Sequence, residues 1–215
     1  GLLLQFIDFE SKREEQTNEQ LKSELSFLRS QISPHFIFNI LNSIVYLIRT
    51  KADKQAEDVT IRLSSLMRYM LYDSDQSMVP LERELEYLRN YIDLQHMRFD
   101  GDVAIDFQID GTIRACTIEP MLLIPFVENA FKHGVSLVQD PIIKVYFSID
   151  HGHLIFKVEN KIGQMTDESK EANSGIGMKN VLRRLELLYP KKHQIQVTNT
   201  GETFCVDLEI SLHQN

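Results

Sequence analysis

The stretch SQISPHFIFNILNSI, residues 30–44, decides how the first half of this chain folds. Wound as an α-helix at about 100° per residue, it is apolar around most of its circumference. One narrow stripe centred on His35 carries the polar side chains that lie within about 40° of it: Gln31, Asn39, Asn42, Tyr46 and Arg49. The pattern predicts a helix that is buried in a bundle and keeps His35 on its one polar face.

Pro34 directly precedes this histidine. Because proline lacks an amide hydrogen and crowds the carbonyl one turn earlier, we expect the helix to bend next to His35. An imidazole on an exposed stripe beside a bend is a nucleophile that a reagent can approach in line. A surface histidine beside an incidental kink is the other interpretation that the residues allow.

The composition is that of an ordinary globular protein, with 43% hydrophobic and 25% charged residues. The 215 residues suffice for one large domain or two modest ones. A net charge of −8 argues against a nucleic-acid-binding surface. The two cysteines lack metal-type spacing and suit a reducing cytosol. No run approaches the roughly 18 apolar residues of a membrane-spanning helix, although the opening GLLLQFIDF predicts either a small strand or the end of such a helix.

Helical periodicity continues up to residue 99. Residues 9–30 predict a short coiled coil or a solvated helix with one docked edge, on an apolar seam formed by Leu21, Leu25, Leu28 and Ile32. A second helix after a turn at 52–55 repeats this spacing with Val59, Leu63, Leu66 and Met70. The two helices are expected to pair as an antiparallel hairpin. LERELEYLRNYIDLQHMRF, residues 81–99, predicts a third helix.

From about residue 102 strands and helices are mixed. The sequence predicts strands at 103–109, 142–150 and 153–160, and a closing hairpin around Thr200-Gly201. Residues 119–135 predict a buried helix that is entered through Pro120 and bent near Pro125, and residues 177–190 predict another helix. The fold class is therefore α+β, with a helical half followed by a mixed half.

The segment FVENAFKHG, residues 126–134, places four polar residues on an otherwise apolar helix. Glu128 and Lys132 are spaced i and i+4, as are Asn129 and His133, so they occupy adjoining faces. Buried helices rarely collect such groups without a purpose, because each one costs free energy to desolvate. A carboxylate, a carboxamide and a cation together suit hydrated Mg²⁺ and phosphates. A helix edge that faces solvent is the alternative.

The segment NSGIGMKN, residues 173–180, places Gly175 and Gly177 just before a helix. Glycines there let backbone amides approach an anion at the positive end of the helix dipole. The polar run before them could close over a nucleotide as a lid. Alternatively, Asn173 and Ser174 are ordinary helix caps.

Four blocks together resemble the LytS-type sensor histidine kinases, and they occur in the order of that family. The blocks are QISPHFIFNILNSI, PLERELEYLRNYIDLQHMRF, EPMLLIPFVENAFKHG and GIGMKNVLRRLELLYP. They cover the chain from about residue 28 to its end.

The resemblance implies a signal-transmitting helix or linker at 1–30, a dimerisation and histidine phosphotransfer domain at 31–99, and an ATP-binding catalytic domain at 100–215. The fold implied is an N-terminal helical hairpin with a coiled-coil lead-in, forming a dimeric four-helix bundle. An α/β sandwich ATPase domain of the gyrase, Hsp90 and histidine-kinase type is expected to follow it.

The resemblance also implies roles for individual residues. His35 accepts the γ-phosphoryl group of ATP and passes it to an aspartate of a response regulator. Asn129 binds Mg²⁺, and the residues expected beside it at the nucleotide are Glu128, Lys132, His133, Gly175 and Gly177. Asn39, one turn after His35, is expected to position a water or the phosphohistidine.

The chain departs from the wider superfamily at two places. Phe36 stands where many histidine kinases carry an acidic proton acceptor, so Glu128 is the candidate base. Asn160 stands where an aspartate usually accepts a hydrogen bond from the adenine amine, and Ile162 replaces the first glycine of that motif. A carboxamide oxygen is a weaker acceptor than a carboxylate, so weaker ATP binding is expected.

The implied partners are a second copy of the chain and a response regulator, of the DNA-binding LytR type. The implied location is the cytoplasmic side of a bacterial inner membrane, with attachment through a segment upstream of this sequence. A dimeric nucleotide-binding scaffold without activity is one alternative, favoured by the altered aspartate motif. The other is an ATP-hydrolysing clamp in which Glu128 activates water.

Overall fold

The structure is a computed structural model that describes residues 24, 34–99, 102–113, 116–135, 138–163 and 176–214. Its contacts divide the chain into two compact units, Gly1–Ile32 and Ser33–Asn215. The finer division at residue 100 stays a prediction. The predicted coiled-coil lead-in and the bend before His35 involve residues outside the described part. Within the described ranges, no helix is both long and apolar enough to cross a bilayer.

Two helices form the predicted N-terminal hairpin, α1 at Pro34–Arg49 and α2 at Asp53–Arg68. The turn between them is closed by a hydrogen bond of 2.9 Å from the amide of Ala52 to the carbonyl of Leu47. The predicted seam is confirmed, because these four side chains are buried: Val59, Leu63, Leu66 and Met70. A π-helical turn, Tyr69–Asp73, follows α2.

Much of the apolar arc of α1 is exposed or only half-buried in the single chain. Phe36 and Ile40 are its buried apolar residues. Its exposed large apolar side chains are Phe38, Leu41, Val45 and Ile48. The predicted burial of most of the helix circumference is therefore not achieved by contacts within one chain.

Three further helices and eight strands make up the rest of the described chain. The helices are α3 Leu81–Arg98, α4 Ile124–Gly134 and α5 Ile176–Leu188. The strands are β1 Val79–Pro80, β2 Ala104–Gly111, β3 Cys116–Ile118, β4 Ile142–Asp150, β5 His153–Lys161, β6 His193–Asn199, β7 Thr203–Ser211 and β8 His213–Gln214. Helices followed by a mixed sheet confirm the α+β class.

The five-stranded sheet has the order β2-β4-β5-β7-β6. Only the β2–β4 pair is parallel, and the other pairs are antiparallel. The predicted β4–β5 hairpin is confirmed, with φ of 46° at His151 and 79° at Gly152, as a type I′ turn requires. Helix α4 packs on the inner face of this sheet, where the ring centroids of Phe126 and Phe156 are 6.2 Å apart. This arrangement is the expected α/β sandwich.

A second sheet, with the order β1-β3-β8, was not predicted. Its strands are two or three residues long, too short to show an alternating pattern. Val79 pairs with Ile118 in this sheet. The pairing joins the chain just before α3 to the segment that leads into α4.

The start of α4 corrects the sequence prediction. The helix expected over 119–135 begins only at Ile124, and Met121 before it has a φ of 55°. Pro125 lies in the first turn, where no amide hydrogen is needed, so it does not bend the helix. Residues 119–123 stay out of the helix because their backbone groups bond to side chains of α3 and α5.

Candidate active site

Helix α4 carries the four polar residues that were predicted to surround a nucleotide. Its opposite side enters the core through Phe126, Val127, Ala130 and Phe131. Lys132 is exposed, whereas Glu128, Asn129 and His133 are partly buried. The alternative of a helix edge in solvent therefore fits Lys132 alone.

Glu128 lies where α4 faces α3. Burial raises the pKa of its carboxyl group to about 7. The pKa values of Tyr87 and Tyr91 on α3 are raised by burial and then by the charge of Glu128. A carboxyl group that is half ionised near neutral pH can accept a proton there. Glu128 has the acid–base property that a general base needs.

Asn160 lies near the end of β5 and is 1% exposed. Its Nδ2 donates to the carbonyl of Lys161 at 2.8 Å, while its Oδ1 has no hydrogen-bond partner among the described residues. A buried acceptor without a partner costs about 1–3 kcal/mol. A donor on a bound molecule would satisfy this atom. The nearby Ile162 donates its amide to Glu202 at 2.8 Å, so this strand end is held by backbone contacts without the expected glycine.

The C-terminal end of α4 touches Asn160. A β-carbon added at Gly134 would lie 2.7 Å from Cβ of Asn160, so only glycine fits there. Nε2 of the neighbouring His133 is also buried without a partner in the described part of the chain. Burial lowers the pKa of this imidazole, with a smaller effect of Lys132, so the ring is neutral at pH 7. Two unsatisfied polar atoms thus occur at, and next to, the contact between α4 and β5.

Gly177 lies in the first turn of α5 and is exposed. No described atom lies within 4 Å of the place where its β-carbon would be, so the described fold does not itself require a glycine. Free amides at a helix start suit an anion. Gly175, Asn173 and Ser174 lie outside the described residues, as does the predicted lid.

His35 belongs to the first turn of α1. The next residue, Phe36, is buried, with its ring centroid 4.7 Å from that of Tyr91 on α3. Tyr91 meets Phe131 of α4 edge-on at 6.0 Å. Two ring contacts therefore connect the turn that bears the predicted phosphoacceptor to the helix that bears the predicted Mg²⁺ ligand. Asn39, one turn later, is partly buried.

Sequence reasoning missed a buried polar cluster between α3, α4 and α5. Arg184 donates to both carboxylate oxygens of Glu119 and, at 2.8 Å, to the carbonyl of Met121. Glu84 accepts from the amides of Met121 at 2.9 Å and Leu123 at 3.1 Å. The three charged side chains are 0–2% exposed. A signal was present, because Glu84 and Arg184 fall on the apolar faces of their helices.

The donor set fits a magnesium nucleotide. The described residues contain no group of three or more His, Cys, Asp or Glu that could hold a metal ion. Nucleotide-bound Mg²⁺ needs no such group, since it keeps several waters and takes its other ligands from phosphates and one or two protein oxygens. The side chain of Asn129 offers one such oxygen. The unpartnered Oδ1 of Asn160 suits the amine of adenine.

Histidine kinases are among the solved structures that are similar to this chain. The histidine kinase domain of the blue-light-activated kinase EL346 from Erythrobacter litoralis matches with a TM-score of 0.47 and 20% identity, over 90% of this chain and 96% of that one. The kinase ThkA, in complex with the response regulator TrrA, matches with a TM-score of 0.45 and 17% identity, over 94% of this chain and 66% of that one.

Comparison of the sequence with protein families and curated proteins identifies the type of histidine kinase that the chain resembles. The histidine kinase family model matches residues 23–103. The sensor histidine kinase/phosphatase LytS of Staphylococcus aureus is 31% identical over 199 residues, which are 86% of this chain. The chain spans 34% of the length of that curated relative. The chain belongs to the LytS-type family of sensor histidine kinases.

Proposed function

We propose that this chain is the phosphoacceptor and ATP-binding part of a two-component sensor histidine kinase. A ring nitrogen of His35 attacks the γ-phosphorus of ATP, and the N–P bond forms as the bond from that phosphorus to the bridging oxygen of ADP breaks. ADP leaves with the electron pair. The phosphoryl group then passes to an aspartate of a response regulator.

The observation that carries this proposal is the unpartnered Oδ1 of Asn160, beside the end of α4. It offers an acceptor for the adenine amine at the position of the family's aspartate. Being neutral, it binds less strongly than a carboxylate would. We expect ATP to bind, with lower affinity than an aspartate in the same place would give.

The remaining groups of α4 and α5 suit the phosphates. Asn129 holds Mg²⁺, which supplies charge neutralisation at the phosphates. Lys132 is exposed and offers its ammonium group to a phosphate. The first amides of α5 at Gly177, with Gly175 before them, complete the anion site. His133 contributes an imidazole whose pKa is lowered by burial, one residue before the Gly134 that contacts Asn160.

Glu128 is the proposed base for the proton that leaves the ring of His35. The residue after the histidine, Phe36, has no atom that could accept a proton, so the base must be another residue. Burial raises the pKa of Tyr91 and the charge of Glu128 raises it further, which supports a Glu128 carboxyl group that faces α3, the helix on which Phe36 packs. Its own pKa of about 7 allows proton acceptance at neutral pH. Asn39, one turn after His35, positions water or the phosphohistidine and so affects its lifetime.

A second copy of the chain is the proposed cover for the exposed apolar side of the hairpin. Besides the exposed residues of α1, helix α2 and the π-helical turn after it expose these large apolar side chains: Ile61, Met67, Leu71 and Tyr72. A group of large exposed apolar side chains on neighbouring helices is typical of an interaction site. Pairing two hairpins gives a four-helix bundle. The proposed location is the cytoplasmic face of a bacterial inner membrane, with attachment through upstream sequence, and the proposed receiver is a response regulator of the LytR type.

The test is incorporation of γ-labelled phosphate from Mg-ATP into the chain, beside the variants His35→Gln and Asn129→Ala. Acid-labile, base-stable label that is lost in both variants is expected. Label that persists in His35→Gln would refute the assignment of the phosphorylated residue. A folded chain that binds ATP but takes no label would favour the scaffold, or the hydrolysing clamp if phosphate is released.

A further inference from the structure

Three contacts connect the α1–α2 hairpin, directly or through α3, to the predicted ATP-binding domain of its own chain. The ring of Phe36, at the start of α1, packs on Tyr91 of α3. The hydroxyl of Tyr69, just after α2, donates to the buried carboxylate of Glu84 on α3. Beyond the hairpin, β1 pairs with β3. The start of the hairpin and the turn after its second helix therefore both contact α3, and the strand that follows pairs with β3.

The contact at Tyr91 is close and buried. Phe36 is 6% exposed and Tyr91 is 4% exposed. The Tyr91 hydroxyl accepts a hydrogen bond of 2.7 Å from Gln95, which fixes the ring on α3. The far edge of the ring meets Phe131 of α4. The turn of α1 that bears His35 therefore lies on the helix that supports the nucleotide site of the same chain.

Hydrogen bonds connect Glu84 to the backbone just before α4, the helix that carries the predicted nucleotide-binding residues. Glu84 accepts from the amide of Met121, and the carbonyl of Met121 accepts from Arg184 on α5. This cluster fixes the backbone that leads into α4, together with the helix that follows the predicted lid. Because Tyr69 bonds to the same carboxylate, the end of the hairpin and the start of the nucleotide-binding helix share one buried anchor.

The link between the two halves leaves little room for a rearrangement. Val79 is already paired with Ile118, so only residues 74–78 separate the hairpin from the sheet. Fully extended, they span at most ~18 Å. This short link and the Phe36–Tyr91 contact hold α3, and with it α4 of the same chain, against the turn that bears His35.

We propose that His35 is phosphorylated by ATP bound to its own chain, and that Tyr91 is the positioning residue that holds the phosphoacceptor turn on that chain's nucleotide site. The inference rests on the proposed kinase function. Dimerisation then serves to assemble the bundle and to transmit a signal, while the reaction itself is completed within each subunit.

Mixed dimers made by co-expressing differently tagged chains test the direction of transfer. In a dimer of wild type with His35→Gln/Asn129→Ala, the wild-type chain is expected to take label at the per-chain rate of the wild-type homodimer. In a dimer of His35→Gln with Asn129→Ala, no label is expected. Label in the second dimer and none in the first would overturn the inference while leaving the kinase function intact. A wild-type homodimer without label would overturn both.

Variants of Tyr91 test the positioning role. Tyr91→Leu removes the ring but fills space, and its labelling kcat is expected to fall on the order of 10²-fold, because misplacement by about 1 Å costs that much. Its KM for ATP is expected to stay unchanged, since Tyr91 does not touch the nucleotide. Tyr91→Phe keeps both ring contacts and loses only the hydrogen bond from Gln95, so it is expected to restore most of the rate. Equal defects in both variants, or a rise in KM that matches the fall in kcat, would overturn the role, and Tyr146→Leu on the opposite face of the sheet is the control.

Discussion

Removing the guanidinium of Arg184 should destabilise the chain severely. Arg184 is 2% exposed and donates to Glu119, to the carbonyl of Met121 at 2.8 Å and to that of Pro120 at 2.6 Å. Arg184→Met leaves the Glu119 carboxylate, which is 0% exposed, without its guanidinium partner. Breaking a buried ion pair from one side costs about 3–5 kcal/mol. This is a large share of the roughly 5–15 kcal/mol that stabilise a typical domain.

Urea unfolding followed by circular dichroism measures the effect. With an m-value near the upper end of about 1–3 kcal/mol/M, the midpoint is expected to fall by about 1–2 M. The matched control is Arg183→Met, one residue earlier on the same helix. Arg183 lies 3.6 Å from Glu186 with both side chains about half exposed, and such a pair is worth about 0–1 kcal/mol.

A double variant separates the ion pair from the rest of the site. Arg184→Met/Glu119→Leu removes both charges, and buried pairs replaced by apolar side chains are often close to neutral. The double variant is therefore expected to recover part of the loss, short of the two carbonyl bonds. If Arg184→Met shifts the midpoint no more than Arg183→Met does, the reasoning about this cluster is wrong.

Three further predictions concern the nucleotide site and the hairpin. Asn160→Leu should weaken ATP binding by about 1–3 kcal/mol in calorimetric titration, and Asn160→Asp should strengthen it; equal affinities in both would exclude the adenine contact. Burial raises the pKa of Glu128 from 4.5 to about 7, so the folded chain keeps a proton that the unfolded chain has already released. The free energy of unfolding therefore falls as the pH rises towards 7 and this proton is lost. Glu128→Gln should therefore gain stability relative to wild type between pH 5 and 8 in urea unfolding, and a constant difference would contradict the shift. Phe38→Glu, at a position that is 65% exposed, should reduce the mass measured by light scattering from dimer to monomer with little loss of helix; an unchanged dimer would place the interface elsewhere.

Much of the fold could be predicted from local sequence patterns. The seam of α2, the third helix and the β4–β5 hairpin were predictable because each depends on the spacing of apolar residues or on a turn of few residues. The same is true of the grouping of Glu128, Asn129, Lys132 and His133 on one helix. The beginning of α4 was not predictable in this way, since residues 119–123 keep their non-helical shape through bonds to Glu84 and Arg184.

The sequence by itself determined the family, the order of the elements and which residue types the site would contain. The tertiary structure alone decided that Oδ1 of Asn160 has no partner within the described chain, and that the turn of His35 packs on Tyr91 of its own chain. It also decided that three charged side chains form one buried anchor. The physical reason is that these features join residues far apart in the chain, as in the bond from Leu123 to Glu84 at a separation of 39 positions. Periodicity records which face of an element is buried, but it does not record what that face meets.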